Sequence, residues 1–385
     1  MLKIKTILVF IMAILLFSCK TEEQNLNVLN IEKVHGIRNY STIYSLPKTV
    51  IRVNVEVCQT ISKEGPFSKY AKSLLNIDNA IKKDDIKWSI NDINFTTYPI
   101  PDTNNIYIIE HTGNLGDFGI SLTSSGLISA VNISKNNPEN FIENRKIQTK
   151  TINSNPLESE LNTTQMINFN DVPLLKEINA KKSTYERARV LAEKIYTLRD
   201  DRAAIIVGDG YTENMPDGIA MKEIIKELNN LEQKYLSMFV GKQIKRIYKY
   251  SFDFIPETPK KTTQAILFRF SEDRGVVKMN DVSGMPVIIE IESQQTVEKI
   301  IAMNKRQNYL RRTGKVTETA KGLFYRIPEL VSLRLIANDN ILAEKNIMLA
   351  QFGAIHALSP EFLSGKYRIE YYPDLGSIKN IEIIK

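Results

Sequence analysis

Few side chains in this 385-residue chain are of types and spacings that do chemistry. There are two thiols, Cys19 and Cys58, and three imidazoles, His35, His111 and His356. No histidine pair has the helical spacing of a metal site, and no HExxH run occurs. Glu110 and His111 are neighbours on a strand-like run, so their side chains point to opposite faces. Asp209, Glu213 and Asp217 share the glycine-bearing stretch "GDGYTENMPDG", which lacks the alternating ligands of an EF-hand. A helix stop at Gly208 and an N-cap at Asp217 explain that stretch more simply than calcium does. The sharpest charge feature is "NKRQNYLRRTGK": Lys305, Arg306, Arg311, Arg312 and Lys315 around Tyr309, with no acid. Such a patch suits lipid-head phosphates or an acidic partner, against the plainer reading of a solvated interdomain loop. No GxSxG elbow, P-loop or dinucleotide fingerprint is present, so neither a catalytic set nor a cofactor is expected.

Cys19 is set apart by what precedes it. Lys3 and Lys5 give a short basic start, and Ile7 to Phe17 is an unbroken apolar run. That run is too short for a bilayer core, which takes about 20 residues, and suits the core of a secretory signal. It ends Leu16-Phe17-Ser18-Cys19, with Leu at −3 and a small residue at −1. This resembles the lipobox of bacterial lipoproteins, which implies a diacylglycerol on the Cys19 thiol and cleavage after Ser18. Two or more acyl chains hold a soluble body stably, at about 0.8 kcal/mol per buried methylene. Outer-membrane lipid is then the first expected partner. Lys20 is not the aspartate that resembles an inner-membrane retention signal. Lys20-Thr21-Glu22-Glu23 looks like an acidic tag for export to the cell surface, so that face is favoured over the periplasmic one. The competing reading is a polar spacer.

Composition is ordinary for a globular protein, with 43 % hydrophobic and 25 % charged residues. Net charge is +7; removing residues 1–18 takes Lys3 and Lys5, leaving 49 basic against 44 acidic residues, or +5. An excess that small and spread out does not point to nucleic acid. With Cys19 acylated, Cys58 has no partner for an internal disulfide, so packed cores must supply stability.

The periodicity predicts an α+β chain, mainly β: two β-sandwich-like or open-barrel domains flanking a central antiparallel helical hairpin. The expected boundaries are a signal at 1–18, a tether at 19–40, a β-rich domain at 41–133 with one short helix, and a polar connection at 134–182. The helical hairpin follows at 183–241 and a second β-rich domain at 242–385. In "LPKTVIRVNVEVCQT", Ile51, Val53, Val55 and Val57 alternate with polar residues, as in a half-buried strand. "GPFSKYAKSLLN" reads as a helix with a Phe67–Tyr70–Ala71–Leu74–Leu75 stripe. Trp88, Ile90, Ile93 and Phe95 alternate across a bulge near Asn91-Asp92, and Pro99 to Asn104 predict a turn before "IYIIEH". Ser183 and Glu186 form a capping box for the first long helix. The second carries a Met221, Ile224, Ile225, Leu228, Leu231, Tyr235, Met238 stripe. An echo links Tyr44-Ser-Leu-Pro47-Lys-Thr-Val50 to Tyr325-Arg-Ile-Pro328-Glu-Leu-Val331, with a later glycine hairpin in each half at Gly126 and Gly376. Duplication and coincidence explain it equally well, since proline often opens a strand.

The blocks "YSLPKTVIRVNVEV", "KEGPFSKYAKSLLNI", "MPDGIAMKEIIKELNNLEQKYLSMFVGK", "GLFYRIP" and "AQFGAIHALSP" are similar to a family of predicted lipoproteins of the Bacteroidota. It is domain-of-unknown-function family 4831, to which no activity is assigned. The resemblance runs from about Ser41 to the C-terminus. It implies an envelope protein of this layout and carries over no catalytic or ligand residues.

Two functional readings follow. The first is a non-catalytic accessory, scaffold or binding lipoprotein of an envelope assembly, with a protein partner in the envelope. The second is a surface glycan- or peptide-acting hydrolase, with a carbohydrate-binding module between the two. A hydrolase needs a pocket with a carboxyl group of raised pKa, and no pair of carboxylates stands out for it. Tyr248, Tyr250, Trp88 and Phe95 have the chemistry to stack on sugars, but their alternation assigns them to a core first.

Overall fold

The computed structural model describes residues 25–33, 41–112, 119–132, 169, 172, 182–208, 218–257, 261–296, 299, 302, 322–363 and 366–384. In chain order the first strands are β1 (Asn25–Asn30), β2 (Thr42–Lys63), β3 (Asp85–Thr112), β4 (Ile120–Leu122) and β5 (Ile128–Val131). Helix α1 (Ala71–Leu75) lies between β2 and β3, and α2 (Thr184–Val207) and α3 (Gly218–Val240) follow β5. Then come β6 (Lys242–Phe254), β7 (Thr262–Ser271), β8 (Gly275–Val277) and β9 (Met285–Ser293). The last strands are β10 (Leu323–Ala337), β11 (Asn340–Leu358), β12 (Tyr367–Tyr372) and β13 (Ser377–Ile383). The chain is mainly β, as its alternating runs require.

The strands form three sheets, ordered β1-β3-β2-β6, β11-β10-β9-β7-β8 and β13-β12-β5-β4. Strands β2 and β3 pair antiparallel over most of their length, from Thr42–Ile109 to Ser62–Asp85, and make a spine. Its half beyond Val50 faces the second sheet. There Ile51, Val53, Val55, Val57, Trp88 and Phe95 pack on residues such as Val287, Ile289, Leu333 and Leu335. Its other half puts Tyr44, Leu46, Tyr107 and Ile109 against Ile128, Val131, Ile369 and Tyr371 of the third sheet. The period-2 pattern dictates this on the second-sheet side: from Ile51 to Gln59 every second residue of β2 is buried, and each large apolar side chain so buried contributes about 1.5–3 kcal/mol. The bulge foreseen near Asn91 is present, since Glu56–Asp92 is followed by Val57–Ile90, leaving Asn91 unpaired.

The sequence echo marks a repeated piece of structure. In the first hairpin, Ser45 pairs with Ile106 and Pro47 with Pro101, so residues 102–105 leave the ladder. In the second, Ile327 pairs with Ala354 and Glu329 with Leu349, so residues 350–353 do the same. The Ser45 N–H donates to the Gly126 carbonyl (3.0 Å), and the Arg326 N–H donates to the Gly376 carbonyl (2.8 Å). Gly126 and Gly376 both take the left-handed conformation, at φ 79° and 68°. The Ser45 hydroxyl donates to the Asp102 carbonyl (3.0 Å), and Arg326 Nη1 donates to the Ala350 carbonyl (3.3 Å).

Side chains at these two bulges lock the halves together. Arg326 and Asp102, 3 % and 2 % exposed, form a buried ion pair. Lys48 Nζ lies 3.2 Å from the same carboxylate, which also accepts from Asn105 Nδ2 (2.7 Å) and the Asn104 N–H (3.1 Å). From the other bulge, Gln351 Oε1 accepts from the Thr49 N–H (2.9 Å), and its Nε2 donates to the Thr49 carbonyl (2.9 Å). Gly353 sits where a Cβ would collide with the Ile327 carbonyl, so this close crossing requires glycine.

Two expectations differ from the observed fold. The stretch Pro99 to Asn104 lies inside one long strand rather than in a turn between two: Pro99 to Pro101 stay paired with β2 and only residues 102–105 bulge out, because β2 runs past and keeps pairing on both sides. The boundaries 41–133 and 242–385 do not separate two sheets. Strand β6 joins β2 in the first sheet, and β12 joins β5 in the third. The helices pack at one end of this frame instead of between two β domains: their core is shared with Phe67, Ala71 and Leu75.

Desolvation pushes the Asp102 pKa up, but Asn105, the Asn104 N–H, Lys48 and Arg326 outweigh it, so the carboxyl group titrates below its ordinary range. Burial pulls the Arg326 guanidinium down from its usual value, yet arginine keeps its proton at physiological pH. The pair's contribution is therefore complete above the ordinary aspartate pKa of about 3.9 and is lost as pH falls through the lower folded value. Arg326→Met is expected to cost about 3–5 kcal/mol in urea unfolding at pH 7, because it leaves a buried charge unpaired. Asp102→Asn with Arg326→Met should recover part of that loss; equal losses in the single and double variants would refute the pairing.

Candidate functional site

The helical end of the molecule begins where β2 stops. Gly65 lets the chain pass so close to α3 that a Cβ there would run into the Met238 carbonyl. The Phe67 N–H donates to that carbonyl (2.9 Å), and the Ile81 N–H donates to the Val240 carbonyl (2.9 Å). Gly241, at φ 87°, turns α3 directly into β6 against the Lys63 carbonyl. Ser183 and Glu186 make the expected capping box at the start of α2, and Gly208 closes that helix at φ 80°.

The two long helices are joined to each other by one buried acid. Glu232, 6 % exposed, accepts from Arg199 Nε (2.7 Å) and from Arg202, and Arg202 also reaches Asn229 Oδ1 (2.6 Å). Residues late in α2 thus meet the middle of α3, as an antiparallel pair requires. Desolvation raises the Glu232 pKa, but the two arginines outweigh it and hold the carboxyl below its usual value. Nearer the frame, Leu191, Ile195, Tyr235 and Phe239 bury fully. Farther out the apolar surface is uncovered: Ile206, Val207 and Ile219 are exposed, and Ile224 is 38 % exposed.

Two concavities lie at this end. One is a shallow groove along the outer side of α3. The other is a polar cleft of about 400 Å³ beside α1, where Lys69, Lys72 and Lys82 surround Glu64, Ser68 and Asp78. Its acids are already engaged, Glu64 by the Ser68 hydroxyl (2.5 Å) and Asp78 by Lys72 (2.8 Å). The cleft therefore offers cations rather than a free carboxylate.

Most residues singled out by sequence fall elsewhere. Cys19, Lys20, Thr21, Glu22 and Glu23 lie outside the described residues, as do Lys305, Arg306, Tyr309, Arg311, Arg312 and Lys315. Asp209, Glu213 and Asp217 also lie outside them. Trp88 and Phe95 are buried, and Tyr248 and Tyr250 pack against the same core, so none of the four forms an aromatic platform. His356 is partly buried beside Tyr325, with ring centroids 6.3 Å apart. Among the described residues, no group of three or more His, Cys, Asp or Glu is placed to hold a metal ion. Every carboxyl group among them whose pKa shift is resolved, such as Asp102, Glu232, Asp253 and Asp281, is shifted downward. The cleft was not legible beforehand, since it forms from loop residues brought together around α1. The α3 groove was partly legible: the predicted stripe is wider than the core it covers.

Glu232→Gln should destabilise the α2–α3 contact by about 1–3 kcal/mol, because two charge-assisted bonds weaken in a buried place. Hydrogen exchange read by mass spectrometry should speed up in 199–207 and 224–232 and stay unchanged in β2. Unchanged protection in both helices would count against this role.

A family model described as a domain of unknown function, DUF4831, matches residues 40–379. No curated protein and no solved structure matches the chain.

Proposed function

We propose that this chain, which belongs to the DUF4831 family, is a lipid-anchored outer-membrane protein serving as a non-catalytic scaffold or binding component of an envelope assembly. The observation that carries the anchor is the run Ile7 to Phe17 ending in Leu16-Phe17-Ser18-Cys19. A diacylated, N-acylated Cys19 would hold the body at the lipid surface without a spanning segment. Among the described residues, no helix is long and apolar enough to cross a membrane. The tag Lys20-Thr21-Glu22-Glu23 favours the outer face.

The scaffold role is supported by what the side chains are occupied with. A general acid needs a carboxyl group that keeps its proton near neutral pH, which calls for an upward shift. The resolved shifts go the other way, each acid held ionised by a cation or by hydrogen bonds. The helical end, with its uncovered apolar residues and lysine-lined cleft, is the natural contact surface. The basic run Lys305 to Lys315 is a second candidate contact for acidic groups.

Mass spectrometry of the natural protein should find residue 19 as the N-terminus, carrying acyl chains. Cys19→Ser should move the protein from the membrane pellet to the soluble fraction. An unacylated or uncleaved N-terminus would overturn the anchor. Arg311→Glu with Arg312→Glu should reduce co-purification of envelope proteins several-fold; unchanged recovery would show that the basic run only aids solubility.

A further inference from the structure

We propose that the outer face of α3 is where two copies of this chain join, with their α3 helices antiparallel about a two-fold axis at Leu228. Glu223, Ile224, Glu227, Leu228, Leu231 and Lys234 follow one another at spacings of one or three, which places them along one side of the helix. These six line the shallow groove. Helix α2 occupies a different side, through Asn229 and Glu232. Leu228 and Leu231 rest one side on the helical core, so the face continues the buried stripe outward and leaves its outer side open. Ile224 is 38 % exposed, and Leu228 and Leu231 are only partly covered. An apolar strip with charged borders on a helix side is the usual form of a helix-docking surface.

The order of charges selects the occupant. The acids Glu223 and Glu227 lie toward the start of α3, and Lys234 lies toward its end. Parallel docking of two such faces sets like charges beside one another. Antiparallel docking about Leu228 sets Glu223, which pairs with Lys226 of its own helix (3.0 Å), against Lys234 of the second copy, and Ile224 against Leu231 of the second copy, twice over by symmetry; Glu227 lies beside the axis and gains no cation across it. A face whose two halves complement each other is self-complementary, the requirement of a two-fold interface. The result is a four-helix arrangement of two α2–α3 pairs. An anionic lipid surface is a poorer match, because the groove presents two carboxylates and one ammonium. One helix side buries less than the roughly 800 Å² per partner of a standard interface, so a dissociation constant on the order of micromolar is expected. Membrane anchoring would raise the local concentration of such a pair but is not needed for it. This inference names a partner for the scaffold reading, and its test does not depend on acylation.

The test uses the full chain in its own cells and the same chain purified in detergent. Leu228→Cys should crosslink to itself under mild oxidation and give a band of twice the monomer mass. Lys222→Cys, exposed on another side of α3, and the unaltered chain with Cys58 should not. In sedimentation equilibrium, Glu223→Lys alone and Lys234→Glu alone should each weaken the dimer about fivefold, as two exposed ion pairs are lost per dimer. The double reversal should restore it. Circular dichroism and melting of each variant separate loss of association from loss of fold, and the exposed charge variants keep the test readable if Leu228→Cys is unstable. A monomer at 100-fold above the expected dissociation constant, a crosslink of another mass, or a dimer indifferent to the charge reversals would each overturn the proposal.

Discussion

The Asp102–Arg326 pair holds the β frame in one arrangement. It joins residues 224 positions apart, on β3 of the first sheet and β10 of the second, beside the Gly376 turn that links two strands of the third. Taking both charges out of water costs several kcal/mol apiece, and their attraction returns roughly what was lost. Its net stabilisation is therefore small. What it supplies is discrimination: a slipped register of either hairpin would strand a buried carboxylate or guanidinium. The Gln351–Thr49 bonds impose the same condition from the opposite bulge. Apolar alternation alone tolerates a two-residue slip of a strand; these polar contacts do not.

That constraint explains how β2 and β3 serve two cores. A single hairpin twisting through both would face the third sheet at one end and the second sheet at the other. The four-residue departures at 102–105 and 350–353 fall where the change of packing partner occurs. Bulges increase local twist and bend the strand, which lets one hairpin turn from one core to the next. The same irregularity, the same glycine-turn contact and the same side-chain-to-carbonyl bond recur in both halves. The Tyr-x-x-Pro echo is thus the visible trace of a repeated structural unit.

The helical end obeys a different logic. Near the frame it is packed by Phe67, Ile195 and Phe239; farther out, the pairing of Glu232 with two arginines is the main buried contact described. A rigid base with a more lightly packed, partly apolar end is suited to meeting another surface. Reactive chemistry would require the reverse, with polar groups converging in a closed pocket and at least one acid shifted upward. Among the described residues, acids such as Asp102, Glu186 and Glu232 are held in ion pairs or caps.

By itself, the sequence determined local matters. The alternation of Ile51 to Val57, the Asn91 bulge and the Ser183–Glu186 cap all rest on neighbours within a few residues. Tertiary structure decided which strands share a sheet. Strand β6 has the same alternation whether it pairs with β2 or β7, so periodicity could not reveal that sheets cross the expected domain boundaries. It likewise decided that residues 102–105 bulge from a continuous strand where a turn was expected, and that the outer part of the α3 stripe stays open. Side-chain period records that a face is apolar; which surface covers it depends on contacts between residues hundreds of positions apart, and those leave no local signature.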